Sequence, residues 1–225
     1  IKHSSKHKTF FNKTSLTQMK LLLIATVVSM VIASESYESC DGKDETCQMN
    51  ESNASKCDLE ELWQIHIDHE FGPNANADLT METMIDTSYV NHIPTSTGGM
   101  GHDHLRDFYR DLFIPSVVNW NIEPISRTVD NNNRRLVDEM IVTFDHTMKI
   151  DFLLPNIEPT NKSVQLAVVA IVTFDKDKCK LSHEHIYWDH ASLLKQVGLI
   201  TDDSLPILGA EQALKIRNPF QEPSN

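Results

Sequence analysis

Between Lys180 and His190 the chain reads KLSHEHIYWDH, a run in which His183, Glu184, His185, Asp189 and His190 can each titrate or bind a metal near neutral pH. Tyr187 and Trp188 sit among them. Alternate side chains of a strand share a face. An unbroken strand therefore carries Leu181, His183, His185, Tyr187 and Asp189 on one side, and Ser182, Glu184, Ile186 and Trp188 on the other. If the first side lines a water-poor pocket, Asp189 is a general-base candidate, because such surroundings favour proton uptake by a carboxylate. The nearby imidazoles or phenol would then donate a hydrogen bond to an oxygen on which charge develops. Asp189 is also well placed simply to cap the helix that begins at HASLL. His183-x-His185 has, in addition, the spacing of paired metal ligands on a strand. His102-x-His104 repeats that spacing, and His66, His69 and Glu70 are spaced to meet on a helix. None of these sets reveals a third ligand for the strand pair.

The body around these residues is acidic. The chain has 225 residues, 20 Lys+Arg against 32 Asp+Glu, and a net charge of −12. Such a surface repels phosphate backbones and anionic lipid, which argues against a nucleic-acid partner. Met19-Lys20 precedes the apolar run LLLIATVVSMVIA, too short for the roughly 20 residues of a membrane span. With Val31-Ile32-Ala33 as a small-residue cleavage signal, residues 19–33 read as a secretory signal peptide, residues 1–18 as an upstream leader, and the mature chain as secreted without a stable membrane anchor. In an oxidising compartment Cys40, Cys47, Cys57 and Cys179 are disulfide candidates with three possible connectivities, one bridge to Cys179 stapling the upstream segment to the domain. Asn50, Asn53 and Asn161 head glycosylation sequons. Residues 34–57 form an acidic, Cys-containing linker with too few aliphatic residues to fold alone.

From Asp58 the pattern becomes that of a folded domain, residues 58–200, followed by a tail over 201–225. Asp58 caps a helix with Leu59, Leu62, Ile65 and His66 at helical spacing, ended by Gly72-Pro73. A short helix over 76–85, a strand at SYVNHIP, a loop at STGGMG and a third helix over about 102–112 follow, the last with Leu105, Phe108, Tyr109 and Leu112 on one face. Beyond Pro115 come long strands: NIEPISRTVD, RRLVDEMIVTFDHTMKI, SVQLAVVAIVTFDKD and CKLSHEHIYWD. Leu166 to Phe174 is apolar enough for a central strand covered on both faces. Helices first and antiparallel strands after predict an α+β domain. Seven glycines, only Gly98 and Gly99 adjacent, supply no phosphate or dinucleotide loop, and no cofactor is expected.

YVNHIPTSTGG, LRDFYRDLFIP, FDHTMKIDFLLPNIEPTNKSVQLAVVAIVTF, HEHIYWD and LLKQVGL, in that order, resemble the SnoaL-like polyketide cyclase (ester cyclase) group of the nuclear transport factor 2-like superfamily. The resemblance runs from about Leu59 to Leu199 and lies in the ordered series. It implies a cone: a strongly curved antiparallel sheet with about three helices closing an apolar pocket. It further implies a cofactor-independent acid–base enzyme, a cyclase, isomerase or hydrolase acting on a small apolar carbonyl or lactone compound. Asp189, His185 and His92 would be its catalytic residues, and His183, Tyr187, His146, Trp188 and Phe144 its pocket lining. His92 and His146 are alternatively buried histidines with satisfied hydrogen bonds. The resemblance also makes a homodimer through the open sheet face plausible. Asn161 in place of the usual Gly, the extra histidines and the cysteine linker depart from the group. A non-catalytic small-molecule binding protein and a His-ligated metalloenzyme, with His183 and His185 as ligands, are the other two expectations.

Overall fold

Asp58 opens the first helix: its carboxylate accepts from the backbone N–H of Glu60 and Glu61 at 3.0 and 3.1 Å. The computed structural model describes residues 57–220. The leader, the signal peptide, most of the linker, Cys40, Cys47, Asn50 and Asn53 lie outside the described residues. Helix α1 (Leu59–Phe71) buries Leu59, Trp63, His66 and Glu70, a stripe at helical spacing whose second half is polar. Leu62 is only partly buried and Ile65 is exposed, so the core-facing stripe is rotated from the one the aliphatic residues mark. Helix α2 (Ala77–Glu82), capped by Asn76, leads directly into strand β1 (Met84–His92).

Strand β2 (Thr97–Met100) occupies the stretch expected to be a loop. At Gly98 (φ +124°) a Cβ would stand 2.1 Å from the carbonyl oxygen of Val90, so only glycine lets this edge strand lie against β1. Helix α3 (His102–Phe108) continues as a π-helical turn, Tyr109–Phe113, and a 3-10 turn, Ile114–Ser116. The π turn shifts the inward register by one residue: Leu112 is exposed and Phe113 is buried in its place.

Strands β3 (Asn121–Asp130), β4 (Arg135–Asp145), β5 (Ser163–Phe174) and β6 (Leu181–Trp188) complete one six-stranded sheet of order β2-β1-β6-β5-β4-β3. The sheet is curved and unclosed. It is mixed and not wholly antiparallel, because β1 lies parallel to β6. A bulge between Pro124 and Ser126 breaks the β3–β4 register, and such an irregularity bends its strand. Strand β5 alternates fully buried residues (Val164, Leu166, Val168, Ala170, Val172, Phe174) with half-buried ones, so one face of the sheet is the core and the other is only partly covered. Helix α4 (His190–Gln196) follows β6, and helix α5 (Glu211–Arg217) in the tail packs back on β5 with Ala213 wholly buried. There are thus five α-helices among the described residues: three ahead of the long strands, and two after β6.

Two connections fasten α1 to the rest. Cys57, at its start, is bridged to Cys179 in the β5–β6 turn across a sequence separation of 122. Farther along, Trp63 Nε1 donates to Asp138 Oδ2 at 2.8 Å, and Arg127 grips the same carboxylate through Nε (3.2 Å) and Nη2 (2.7 Å). Asp138 is 1% exposed, so removing its carboxylate strands an indole N–H and a guanidinium in a dry place. Asp138→Ala is expected to cost about 3 kcal/mol of unfolding free energy, and Trp63→Phe, which leaves the ion pair intact, more through lost packing than through lost charge. Urea denaturation monitored by circular dichroism measures both. A loss under about 1 kcal/mol for Asp138→Ala would show that the bridge does not fasten the helix.

Candidate functional site

The expected alternation along β6 is interrupted at Ser182. Leu181 pairs with Phe174 and His183 with Thr173, so Ser182 is an extra residue without a partner on β5. Its hydroxyl donates to the Thr173 carbonyl at 3.0 Å. Leu181 is buried on the core side, as expected, but past the bulge the parity changes and Glu184, Ile186 and Trp188 face inward opposite Val172, Ala170 and Val168. This corrects the orientation expected for His183, His185, Tyr187 and Asp189, a one-residue slip being enough to exchange the faces of a strand.

On the outer face, Tyr89 stacks on His183 (ring centroids 4.8 Å apart) and its hydroxyl lies 3.2 Å from His185 Nε2. Tyr187 is 39% exposed. Asp189 is exposed and caps α4, accepting from Ala191 N–H (2.9 Å) and Ser192 N–H (3.2 Å). His146 is buried away from the cavity, where its Nδ1 accepts the Thr160 N–H at 3.3 Å and ties the ends of the 146–162 segment together. Phe144 is also buried and stacks on Trp120 at 4.2 Å, standing behind the wall that Trp120 forms. Asn161 is exposed, with φ +54°. Of the residues expected at the site, His92 and Trp188 are the ones that line the cavity.

The cavity lies between the inner face of the sheet and helices α1 and α3, and opens to solvent at its mouth. Its wall is aromatic and aliphatic: Phe108, Phe113, Phe152, Trp120 and Trp188 face the inward side chains of β4 and β5. Ionisable groups on it are four: His92, and, from three separate elements, Glu70 of α1, Tyr109 of the π turn and Glu184 of β6.

His66 stands behind the two carboxylates, its Nε2 lying 3.1 Å from an oxygen of Glu70 and 3.1 Å from an oxygen of Glu184. Neither contact has the alignment of a hydrogen bond. Its Nδ1 is 2.6 Å from Thr83 Oγ1, and that hydroxyl donates its own proton to the Thr80 carbonyl at 2.6 Å. Thr83 can therefore only accept, which assigns the Nδ1 proton to His66. Burial alone would lower the His66 pKa, but attraction to Glu184 and then Glu70 overrides it and pushes the value up to about 10. Burial raises the Glu70 carboxyl above the usual carboxylate range, against the pull of His66. Burial, then Glu184 and Glu70, hold the Tyr109 phenol well above its ordinary value, so it remains a proton-bearing donor. Its hydroxyl is buried beside Glu70 and Glu184, and their carboxyl groups are the acceptors within its reach.

His92 is the opposite case. It is packed among Phe108, Phe113, Phe152 and Trp188, and its Nδ1 lies 3.2 Å from Thr97 Oγ1, whose proton goes to the Phe152 carbonyl. Burial lowers its pKa to about 4, only partly offset by Glu184, so near neutrality it is an uncharged imidazole. The unfolded chain takes up this proton near pH 6.5 and the folded chain only near 4. Stability from this group is therefore complete above pH 6.5 and falls by up to about 3 kcal/mol as the pH drops through 4. Denaturant titrations at several pH values should show that drop in the wild type and a clearly smaller one in His92→Asn. Parallel profiles would mean that the histidine is not held neutral.

Glu184, Glu70 and Tyr109 went unrecognised as a group for separate reasons. Unbroken alternation along β6 puts Glu184 on the face opposite the histidines, Glu70 stands out in the sequence only as the i+4 neighbour of His66, and the spacing of Tyr109 marks it as core. The combination Trp63, His66, Glu70 at helical spacing was the signal present in the sequence.

No protein-family model matches the chain, and no curated protein does. Solved structures do. One described as a SnoaL-like polyketide cyclase, from Jannaschia sp. CCS1, aligns over 64% of this chain and 93% of its own at 15% identity, with a TM-score of 0.52. TsrD from Streptomyces laurentii aligns over 63% of this chain and 96% of its own at 11% identity, with a TM-score of 0.50. At such identities the likeness is one of fold.

Proposed function

We propose that this chain, which has the SnoaL-like fold of the nuclear transport factor 2-like superfamily, is an enzyme that moves a proton on a small, largely apolar carbonyl or lactone compound. The observation that carries the proposal is the single acidic pole of an otherwise apolar cavity, formed by Glu70 and Glu184 with Tyr109 beside them. A substrate would place its hydrocarbon body against the aromatic wall and its carbonyl end on this floor. One carboxylate then takes the proton from the carbon next to the carbonyl, and the C–H electron pair moves through the new double bond onto the carbonyl oxygen. The Tyr109 hydroxyl, which stands beside Glu70 and Glu184, is the donor that would turn to that oxygen. Return of the proton to another carbon gives isomerisation, and attack by the enolate carbon on a second carbonyl of the same molecule, whose oxygen receives the displaced electron pair and then the proton, gives ring closure. His66 orients both carboxylates from behind, with Thr83 holding its ring in place.

The Jannaschia neighbour's description as a SnoaL-like polyketide cyclase is in keeping with this reading, although at 15% identity it lends the fold and not the residues. The short apolar run over 21–33 and the Cys57–Cys179 bridge favour an exported protein, since such bridges persist in oxidising compartments.

Turnover of a panel of lactones and β-dicarbonyl compounds tests the assignment. Glu184→Gln and Glu70→Gln should each lower kcat/KM about 1,000-fold, the span expected when a positioned acid or base is lost. Asp189→Asn, at the cap of α4, should stay within a few-fold of wild type. Undiminished turnover in both glutamine variants would remove the proposed base, and ligand binding without turnover in any form would make the protein a carrier.

A further inference from the structure

We infer that the floor of the cavity is also a divalent-cation site, with Nε2 of His66 and one carboxylate oxygen each of Glu70 and Glu184 as its protein ligands. The inference deepens the functional reading in one respect only: it rests on the cavity being the working site, and not on the proton chemistry assigned to it.

Three observations converge. The three side chains offer ligand atoms that all lie within 4.8 Å of one another. The two nitrogen–oxygen separations are both 3.1 Å, about the spacing of neighbouring ligands held some 2.1 Å from a common metal at near-right angles. The Nδ1 proton of His66 is committed to Thr83, the outer hydrogen bond by which a metal-binding imidazole is ordinarily oriented, and Nε2 is left facing the carboxylates without an aligned partner.

Charge points the same way. With a proton on Nε2, His66 can aim at only one of the two carboxyl groups that face it. A divalent cation between a neutral His66 and both carboxylates satisfies every group at once and brings the charge to zero. One imidazole with two carboxylates suits a first-row ion such as Mn²⁺ or Zn²⁺, whereas Ca²⁺ seeks six or more oxygens. The outer-face pair is the poorer site: His185 Nε2 already meets Tyr89, and His183 Nδ1 meets Ser182 Oγ at 3.1 Å. In the loaded state the glutamates are ligands and not bases, so cation and proton are alternative occupants of one floor. The loaded floor would present a Lewis acid to the carbonyl oxygen.

The test is titration of the chelator-stripped full chain with Mn²⁺, bound metal being read from loss of the free-ion electron paramagnetic resonance signal. One saturable ion per chain is expected. Glu184→Gln and His66→Asn should weaken it about 100-fold, and His183→Ala/His185→Ala should leave it within two-fold. Should the first two variants fail to fold, Mn²⁺ added to the wild type must broaden the NMR signals of Thr83 and Tyr109 before those of Tyr89 and His183. Absence of saturable binding, or binding that survives Glu184→Gln and is lost with the outer-face histidines, overturns the inference. Neither outcome touches the turnover assay, whose failure would be read separately.

Discussion

Ser182 has no partner on β5, and its hydroxyl donates to the Thr173 carbonyl. Because successive strand residues point to opposite faces, this one insertion decides which half of HEHIYW meets the cavity. Leu181 still packs into the core before the bulge. After it, the carboxylate of Glu184 and the faces of Ile186 and Trp188 turn inward, while both histidines and the tyrosine go to the outer surface. A strand without the bulge would line the cavity with imidazoles and leave His66 and Glu70 without their third partner.

The remaining scaffold serves to keep a charged floor inside an apolar chamber. Helix α1 lays His66 and Glu70 on the sheet, and its position is held at one end by the Cys57–Cys179 bridge and midway by the Trp63–Asp138–Arg127 chain. The π turn brings Tyr109 to the same point. His66 is kept cationic by its two glutamates, and His92 is kept neutral by its aromatic cage, so the chamber has one charged pole and one uncharged polar side. Charges buried this deeply persist only when paired, which is why the floor is built from four residues contributed by three elements.

Much of the architecture was legible. Asp58 and Asp189 announce helix starts, and the four long strands follow from β-rich runs between turn signals, although the continuous apolar run of β5 points to cover on both faces where the structure only partly covers one. What escaped depends on geometry without a local sequence mark. The inward stripe of α1 is written with His66 and Glu70, so an aliphatic pattern points instead to Leu62 and Ile65. The π turn exchanges Leu112 for Phe113. Gly98-Gly99 reads as a loop although the absence of side chains is what permits an edge strand there. The parallel pairing of β1 with β6 joins segments about ninety residues apart, beyond the reach of local periodicity. The site failed for the same reason as the bulge: a serine after leucine gives no sign that it will be left unpaired.

Chemical modification of the native protein's histidines by diethyl pyrocarbonate, mapped and timed by mass spectrometry, addresses the strand's orientation directly. His183 and His185 should react at rates approaching those of His102 and His104, and His92 should be protected until the protein unfolds. Rapid modification of His92 with protection of His183 and His185 would place the other face of β6 against the cavity and contradict the structure of the site.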